Sequence, residues 1–263
     1  MKHVVMFSGG VGSWAAAKRI AERHGTDNLT LLFADTNMED EDLYRFIAEA
    51  AANVGGEFVR IADGRTPWDV FRDERFIGNS RVAICSKMLK GKVLDRWLKE
   101  NRNPDDTIRV IGIDWSEKHR LDGRGNRPGI RERLKPWRVE APMCDPPHLT
   151  KAGMIAWLRR EAIEPPRLYA MGFPHNNCAG FCIRAGQGHF LNLLKTMPKR
   201  YAFHERKEQE LREYLGRDDI GILKDRRGGG SRAMTLRELR ERHEAKDQQL
   251  DLLEWGGCGC ALD

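Results

Sequence analysis

Short apolar runs and helix-period stretches alternate through the first 115 residues, and no other feature narrows the fold as much. Residues 4–7 (Val-Val-Met-Phe), 29–34, 57–61 and 108–113 have the length and aliphatic content of strands. Between them, residues 14–24, 40–53 and 87–100 read as helices; Ala15, Ala16, Ala17, Ile20 and Ala21 form a narrow apolar stripe on the first. Strands that alternate with helices run parallel, and the helices cover both faces of the sheet. The expected fold class is therefore α/β, with a doubly wound, mostly parallel sheet and a C-terminal helical extension. Ligands of such sheets bind beyond the carboxyl ends of the strands.

After residue 115 the pattern changes. Residues 115–147 are rich in Gly, Pro and Arg and read as a long, partly mobile loop carrying Arg120, Arg124, Arg127, Arg131 and Arg133. Residues 149–161, 184–194, 201–215 and 235–249 read as helices, and residues 226–232 (Arg-Arg-Gly-Gly-Gly-Ser-Arg) as a flexible basic linker. The expected organisation is a nucleotide-type α/β domain over residues 1–175 and a helical, cysteine-bearing region over residues 176–263. A chain of 263 residues is long enough to bury a core without disulfides. With 32% charged residues and no apolar run approaching ~18 residues, the composition speaks against a membrane protein and against wholesale disorder. The opening Met-Lys-His and its short apolar run read as a first strand and not as a secretory signal, so the expected compartment is the cytoplasm.

The first strand leads into Phe7-Ser8-Gly9-Gly10-Val11-Gly12-Ser13, directly ahead of a helix. Glycines permit positive φ and close approach of the backbone to an anion. The first-turn N–H groups of the helix favour negative charge, and Ser8 and Ser13 add hydroxyl donors. The loop lacks the Gly-Lys-Ser/Thr ending of a Walker A sequence. Taken alone, it also reads as an ordinary glycine turn. Phe33-Ala34-Asp35-Thr36-Asn37-Met38-Glu39 then places a carboxylate at the end of the second strand, where it serves either as an acceptor for a ribose or adenine group or as a solvated cap.

These two segments resemble the PP-loop and the Asp-Thr-Gly-x-Glu segment of the phosphoadenosine phosphosulfate (PAPS) reductase family, within the PP-loop ATP pyrophosphatase and adenine-nucleotide α-hydrolase superfamily. Asn37 stands where that family commonly has Gly. Three further segments are similar to the family's, in its order: Cys85-Ser86-Lys87-Met88-Leu89-Lys90, residues 110–117 with Gly112 and Asp114, and residues 163–173 with Leu168-Tyr169 and Gly172-Phe173. The resemblance covers residues 4–182 and implies an adenine-nucleotide-α-hydrolase-like sheet. It also implies an adenine nucleotide, ATP among them, with magnesium as an optional companion, bound by Ser8, Gly9, Gly10, Gly12, Ser13, Asp35, Thr36 and Gly112.

Six cysteines, Cys85, Cys144, Cys178, Cys182, Cys258 and Cys260, remain to be placed. In a reducing compartment clustered cysteines point to metal binding or catalysis before disulfides. Cluster-bearing members of the family hold a 4Fe–4S cluster with a central cysteine pair and a downstream pair. The resemblance maps Cys85, Cys178 and Cys182 onto three such ligands; the central pair is reduced to Cys85 alone, and the fourth ligand comes from elsewhere, with Cys258 and Cys260 as the candidates, Cys260 first, and Cys144 behind them. Zinc is the competing metal, because an all-sulfur tetrahedral set suits either, and His175 or His189 is a further ligand candidate. Cys144 lies alone and reads as a packed small side chain. Cys258 and Cys260, in a Gly-rich tail, read as ligands or as the reactive thiols that take or deliver sulfur.

The net charge of +6 is mild and means weak attraction to polyanions. Arg226 and Arg227 read as unpaired, whereas Arg237, Arg240 and Arg242 interleave with Glu238, Glu241 and Glu244 as a solvated helix face. The expected activity is ATP-dependent adenylation and thiolation of an acceptor such as a nucleic acid, with a sulfur donor the sequence does not identify. The alternatives are a sulfonucleotide reductase and a non-catalytic nucleotide- and metal-binding subunit. No membrane partner is expected.

Overall fold

The computed structural model describes residues 1–77 and 82–245. Five parallel strands form one sheet in the order β3-β2-β1-β4-β7. The first half alternates as expected: β1 (Lys2–Met6), α1 (Val11–His24), β2 (Leu29–Asp35), α2 (Glu41–Val54) and β3 (Glu57–Ala62). After α3 (Pro67–Asp73) comes a helix in three pieces, α4 (Ile84–Ser86), a wide π turn over Lys87–Lys92, and α5 (Val93–Asn101), which leads to β4 (Thr107–Val110). The doubly wound parallel α/β architecture is thus the one observed.

Alternation of side chains explains why both faces of the sheet are covered. Val5, Phe7, Leu31 and Phe33 pack with Trp14, Ala15, Ala16 and Phe46 of α1 and α2. Their neighbours Val4, Met6, Leu32 and Ala34 point to the opposite face and pack with Leu94 and Leu98 of α5. The period of two along a strand sends successive residues to opposite sides, so β2, flanked in the sheet by β3 and β1, is buried at all seven positions. Three alanines in α1 let its backbone approach the sheet closely, and Trp14 beside them is fully buried with Nε1 donating to Asn53 Oδ1 at 3.1 Å.

Two expectations are corrected. Residues 115–147 are not one long loop: they contain α6 (Lys118–Asp122), a small hairpin of β5 (Gly123–Arg124) and β6 (Arg127–Pro128), α7 (Ile130–Arg133) and β7 (Arg138–Glu140). β7 is the edge strand of the main sheet, too short and too polar to announce itself; it gains its place by pairing with β4. In the loop Arg120 pairs with Glu117, and Arg131 with Asp122 at 2.8 Å. The segment 226–232 is no flexible linker either. It is the turn of a hairpin, β8 (Leu223–Asp225) and β9 (Arg232–Met234). Asp225 holds that turn through Arg227 at 3.3 Å, Arg232 at 3.4 Å and Arg242 at 2.7 Å.

The remaining helices are α8 (Lys151–Arg160), α9 (Arg167–Ala170), α10 (Gln187–Thr196), α11 (Pro198–Leu215) and α12 (Leu236–Glu244). A third apolar cluster joins Trp68 and Phe71 of α3 to Phe173, Phe181, Phe190, Tyr201 and Leu239. Glu208 of α11 is buried there and accepts from the N–H groups of Ile222 at 2.8 Å and Leu236 at 2.6 Å, tying the hairpin and α12 to α11. Among the described residues no helix is long and apolar enough to cross a membrane.

Candidate functional site

The loop after β1 takes its shape from its own backbone. Gly9 has φ +75°, a conformation that favours glycine. Gly10 caps α1 with its carbonyl, which accepts from Ser13 N at 3.1 Å, Trp14 N at 3.2 Å and Ser13 Oγ at 2.8 Å. No carboxylate stands in the first turn of α1, so the positive end of that helix is left for another anion. Gly12 and Gly112 meet back to back: a Cβ on Gly12 would lie 2.8 Å from Gly112 O, and one on Gly112 would lie 2.8 Å from Ser13 N and Cα. The end of β4 therefore buttresses the loop by backbone contact. From the far side Tyr169 accepts from Val11 N at 3.4 Å through its hydroxyl, and burial pushes that phenol up to about 12.

Ser8, Gly10, Gly12, Ser13, Thr36 and Gly112 line one cavity beyond the carboxyl ends of β1, β2 and β4. Gly9 lies behind them, its carbonyl accepting from Asn176 Nδ2 at 3.1 Å. Asp35 stands apart from the lining. It is fully buried, accepts from Tyr44 Oη at 3.0 Å and from Arg60 Nε at 2.9 Å, and receives Asn37 N at 2.8 Å. That last bond closes a turn in which Asn37 takes φ +54°. Asn tolerates the left-handed region better than most side chains, so Asn37 adopts here a conformation that glycine takes readily.

Cys85, Cys178 and Cys182 line the same cavity. They arrive from two places, Cys85 from α4 just ahead of the π turn and the other two from the tight segment after α9. Cys178 and Ala179 both have left-handed backbone, φ +52° and +50°. Such residues cost about 1–3 kcal/mol each and persist only where their surroundings hold them. Here the holding groups are visible. The Cys178 N–H donates to Glu39, and Asn176 reaches the glycine loop. Glu39, itself buried, also accepts from Thr36 Oγ1 at 3.0 Å and pairs with Lys90 Nζ at 3.3 Å. One carboxylate thus connects the end of β2, the π turn and the cysteine turn. Burial, with Glu39 adding to it, raises the Cys178 thiol well above its ordinary value.

His175 lines the cavity too, and its buried Nε2 has no hydrogen-bond partner among the described residues. Burial, with Lys90 and Lys151 adding to it, lowers this imidazole to about 4. His189 stacks on it at 5.7 Å and points Nε2 at Gly180 O, 2.8 Å away. Three thiols and an imidazole nitrogen line this one space, and they are soft donors of the kind that zinc and iron–sulfur clusters take, but among the described residues no three of their ligand atoms lie within 4.8 Å of one another, as the ligands of a single ion would. Cys258 and Cys260 lie outside the described residues. Cys144 is half-buried, with its thiol directed at Ile113 O at 3.6 Å.

Glu39, Lys90, Tyr169 and Asn176 were not singled out by the sequence reading. Each sits inside or beside a segment that it quotes, but only the fold shows that their polar atoms converge. The expected solvated face of α12 has partners across elements as well: Arg240 pairs with Glu205 of α11 at 2.8 Å.

No family model matches the chain, and no curated protein matches it in sequence. Solved structures do. A phosphoadenylyl-sulfate (PAPS) reductase from Candida auris, in its phosphate complex, aligns at TM-score 0.43 and 14% identity over 65% of this chain and 77% of that one. An NH3-dependent NAD synthetase from Campylobacter jejuni, complexed with nitrate, aligns at TM-score 0.40 and 14% identity over 82% of this chain and 83% of that one. What places the present chain among doubly wound α/β folds is its own parallel strand order, with a glycine-rich strand–helix turn at the carboxyl edge of β1.

Proposed function

We propose that the cavity binds an adenine nucleotide with its phosphates on the Ser8–Ser13 loop, and that the chain uses it for sulfur chemistry on a second substrate. The observation that carries this reading is the sharing of one cavity by the anion-suited loop and three cysteines. In the favoured reaction an acceptor oxygen attacks the α-phosphorus of ATP and pyrophosphate leaves. A sulfur nucleophile then displaces AMP: hydrosulfide gives the thiolated acceptor directly, whereas a cysteine persulfide gives a mixed disulfide from which a second thiol releases the thiolated acceptor as it forms a disulfide with the carrier cysteine. A nucleic acid base fits the role of acceptor.

The residues of the chain would serve these steps in distinct ways. The first-turn amides of α1 with the Ser8 and Ser13 hydroxyls hold the charge that develops on the leaving pyrophosphate. Magnesium, where bound, would sit on the phosphates. Cys85, Cys178 and Cys182 would hold a 4Fe–4S cluster or zinc, with His175 or Cys260 as fourth ligand. A cluster with an open iron position supplies a soft site for sulfur, and one closed by four protein ligands supplies structure or redox. Glu39 and Lys90 position the Cys178 turn. Residues 176–263 would thus complete a site built on residues 1–175, in a cytoplasmic protein.

The test begins with anaerobically purified protein. Iron with a broad visible absorption, together with AMP and pyrophosphate formed from ATP, supports the reading. Stoichiometric zinc without iron removes the cluster. Sulfite released from an adenylyl sulfate and a thiol, with ATP untouched, replaces adenylation by sulfonucleotide reduction through Cys258 or Cys260. Tight nucleotide binding without turnover leaves a binding subunit.

A further inference from the structure

We propose that His3, His24 and Glu140 form a second, separate metal site that takes one divalent transition-metal ion, zinc by preference, at the end of α1 away from the glycine loop. His3 is the second residue of β1, His24 the last of α1 and Glu140 the last of β7. One ligand atom from each lies within 4.8 Å of the others. Because α1 is 14 residues long, about 21 Å of helix separates His24 from the glycine loop.

His3 makes this more than a chance meeting of polar groups. It is 5% exposed, and its Nε2 is buried with no hydrogen-bond partner among the described residues. A buried polar atom without a partner costs free energy unless something satisfies it. Its ring stacks on the exposed His24 at 4.4 Å between centroids, 15° from parallel. Two imidazoles and a carboxylate are a known zinc donor set with one position left for water. The two nitrogens must close to about 3.4 Å around a tetrahedral ion with Zn–N near 2.0–2.1 Å. His24, on the surface at the last turn of a helix, is free to turn out of the stack. Glu140 is held by Arg23 at 3.4 Å, but Arg23 keeps Asp145 at 2.9 Å when it lets go. The carboxyl end of α1 adds a favourable field for a cation. The ion would clamp β1, α1 and the edge strand β7 together, a structural role independent of the cavity.

The experiment uses the full chain without a histidine tag, stripped by chelator and kept anaerobic. Zinc chloride is titrated by calorimetry into the wild type and into His24→Ala and Glu140→Gln, and the histidine ring nitrogens are followed by NMR. His24 is exposed and its replacement leaves the fold intact, so His3 need not be touched. The wild type is expected to take one zinc equivalent more than His24→Ala, beyond any bound by cysteines. Each substitution should weaken that equivalent by about 100-fold or more, since even outer-shell partners are worth 10–100-fold. Zinc should shift the ring signals of both His3 and His24. Equal zinc uptake by all three proteins, or unmoved ring signals, overturns the proposal.

Discussion

Replacing Gly112 by Ala tests the contact that sets the glycine loop. The new Cβ would stand 2.8 Å from Ser13 N and Cα and 2.9 Å from Gly12 C, where ordinary contact begins at 3.4 Å. All three atoms are backbone, so no rotamer relieves them and the loop must withdraw by roughly 0.6 Å. Overpacking of this kind costs about 1–3 kcal/mol. For a chain of this size that corresponds to a melting temperature lower by about 2–12 °C. The same displacement moves the amides that would face phosphate, so pyrophosphate or ATP affinity should fall about 5- to 150-fold if the whole penalty appears in binding. Gly10→Ala is the matched comparison. Its φ is −96°, and its Cβ would meet only Tyr169 Oη at 3.6 Å and Ser8 Oγ at 3.7 Å. Stability should stay within about 0.5 kcal/mol of wild type, while the methyl group obstructs the cavity and weakens nucleotide binding. Thermal melts and calorimetric titration of both variants decide the matter. A Gly112→Ala protein with wild-type melting and affinity would refute the buttress, as would a Gly10→Ala protein destabilised as much as Gly112→Ala.

Other outcomes follow from the same geometry. Glu39→Gln removes the charge that Lys90 faces and weakens the hold on Cys178 N–H. Metal or cluster retention should drop about 10- to 100-fold, as for loss of other outer-shell partners, read as iron or zinc content after gel filtration with chelator. Tyr169→Phe deletes the acceptor for Val11 N and should cost about 0.5–1.5 kcal/mol in urea unfolding, with its effect on nucleotide affinity confined to the loop. Burial raises Glu208 from 4.5 to about 7, even though two backbone N–H groups favour its charged form. Between those values the folded chain keeps a proton that the unfolded chain releases, so the contribution of Glu208 to stability is full below pH 4.5 and is lost as pH rises through 7. The loss from this one group is up to about 3 kcal/mol. Glu208→Gln should flatten that part of the pH–stability curve, and an unchanged slope would show that Glu208 is already ionised at pH 5.

Much of the alternating α/β half was legible because its signals are local. Strand runs such as residues 29–34 and the Ala stripe of α1 are written in consecutive residues, and Gly9 and Asn37 mark positive φ where the chain must turn. β7 was illegible for the opposite reason. Three residues, Arg-Val-Glu, carry no period, and only the vacant edge of β4 makes a strand of them. The basic segment 226–232 misled because charge pairing is not local: Asp225 gathers Arg227, Arg232 and Arg242 only after the hairpin has closed and α12 has packed beside it.

The sequence by itself determined the alternating α/β order and the strand–glycine–helix turn, since each depends on neighbours within a few residues. It also supplied the cysteines, but not their meeting place. Cys85 and Cys178 are 93 positions apart, and only the tertiary structure decides that both face the cavity of the glycine loop. It likewise decides that Glu39 joins three segments and that Asp35 is spent on Tyr44, Arg60 and Asn37 instead of the cavity. Covalent order fixes which groups exist and what local backbone they prefer. Burial and distance, which determine what those groups do, are set when distant segments pack.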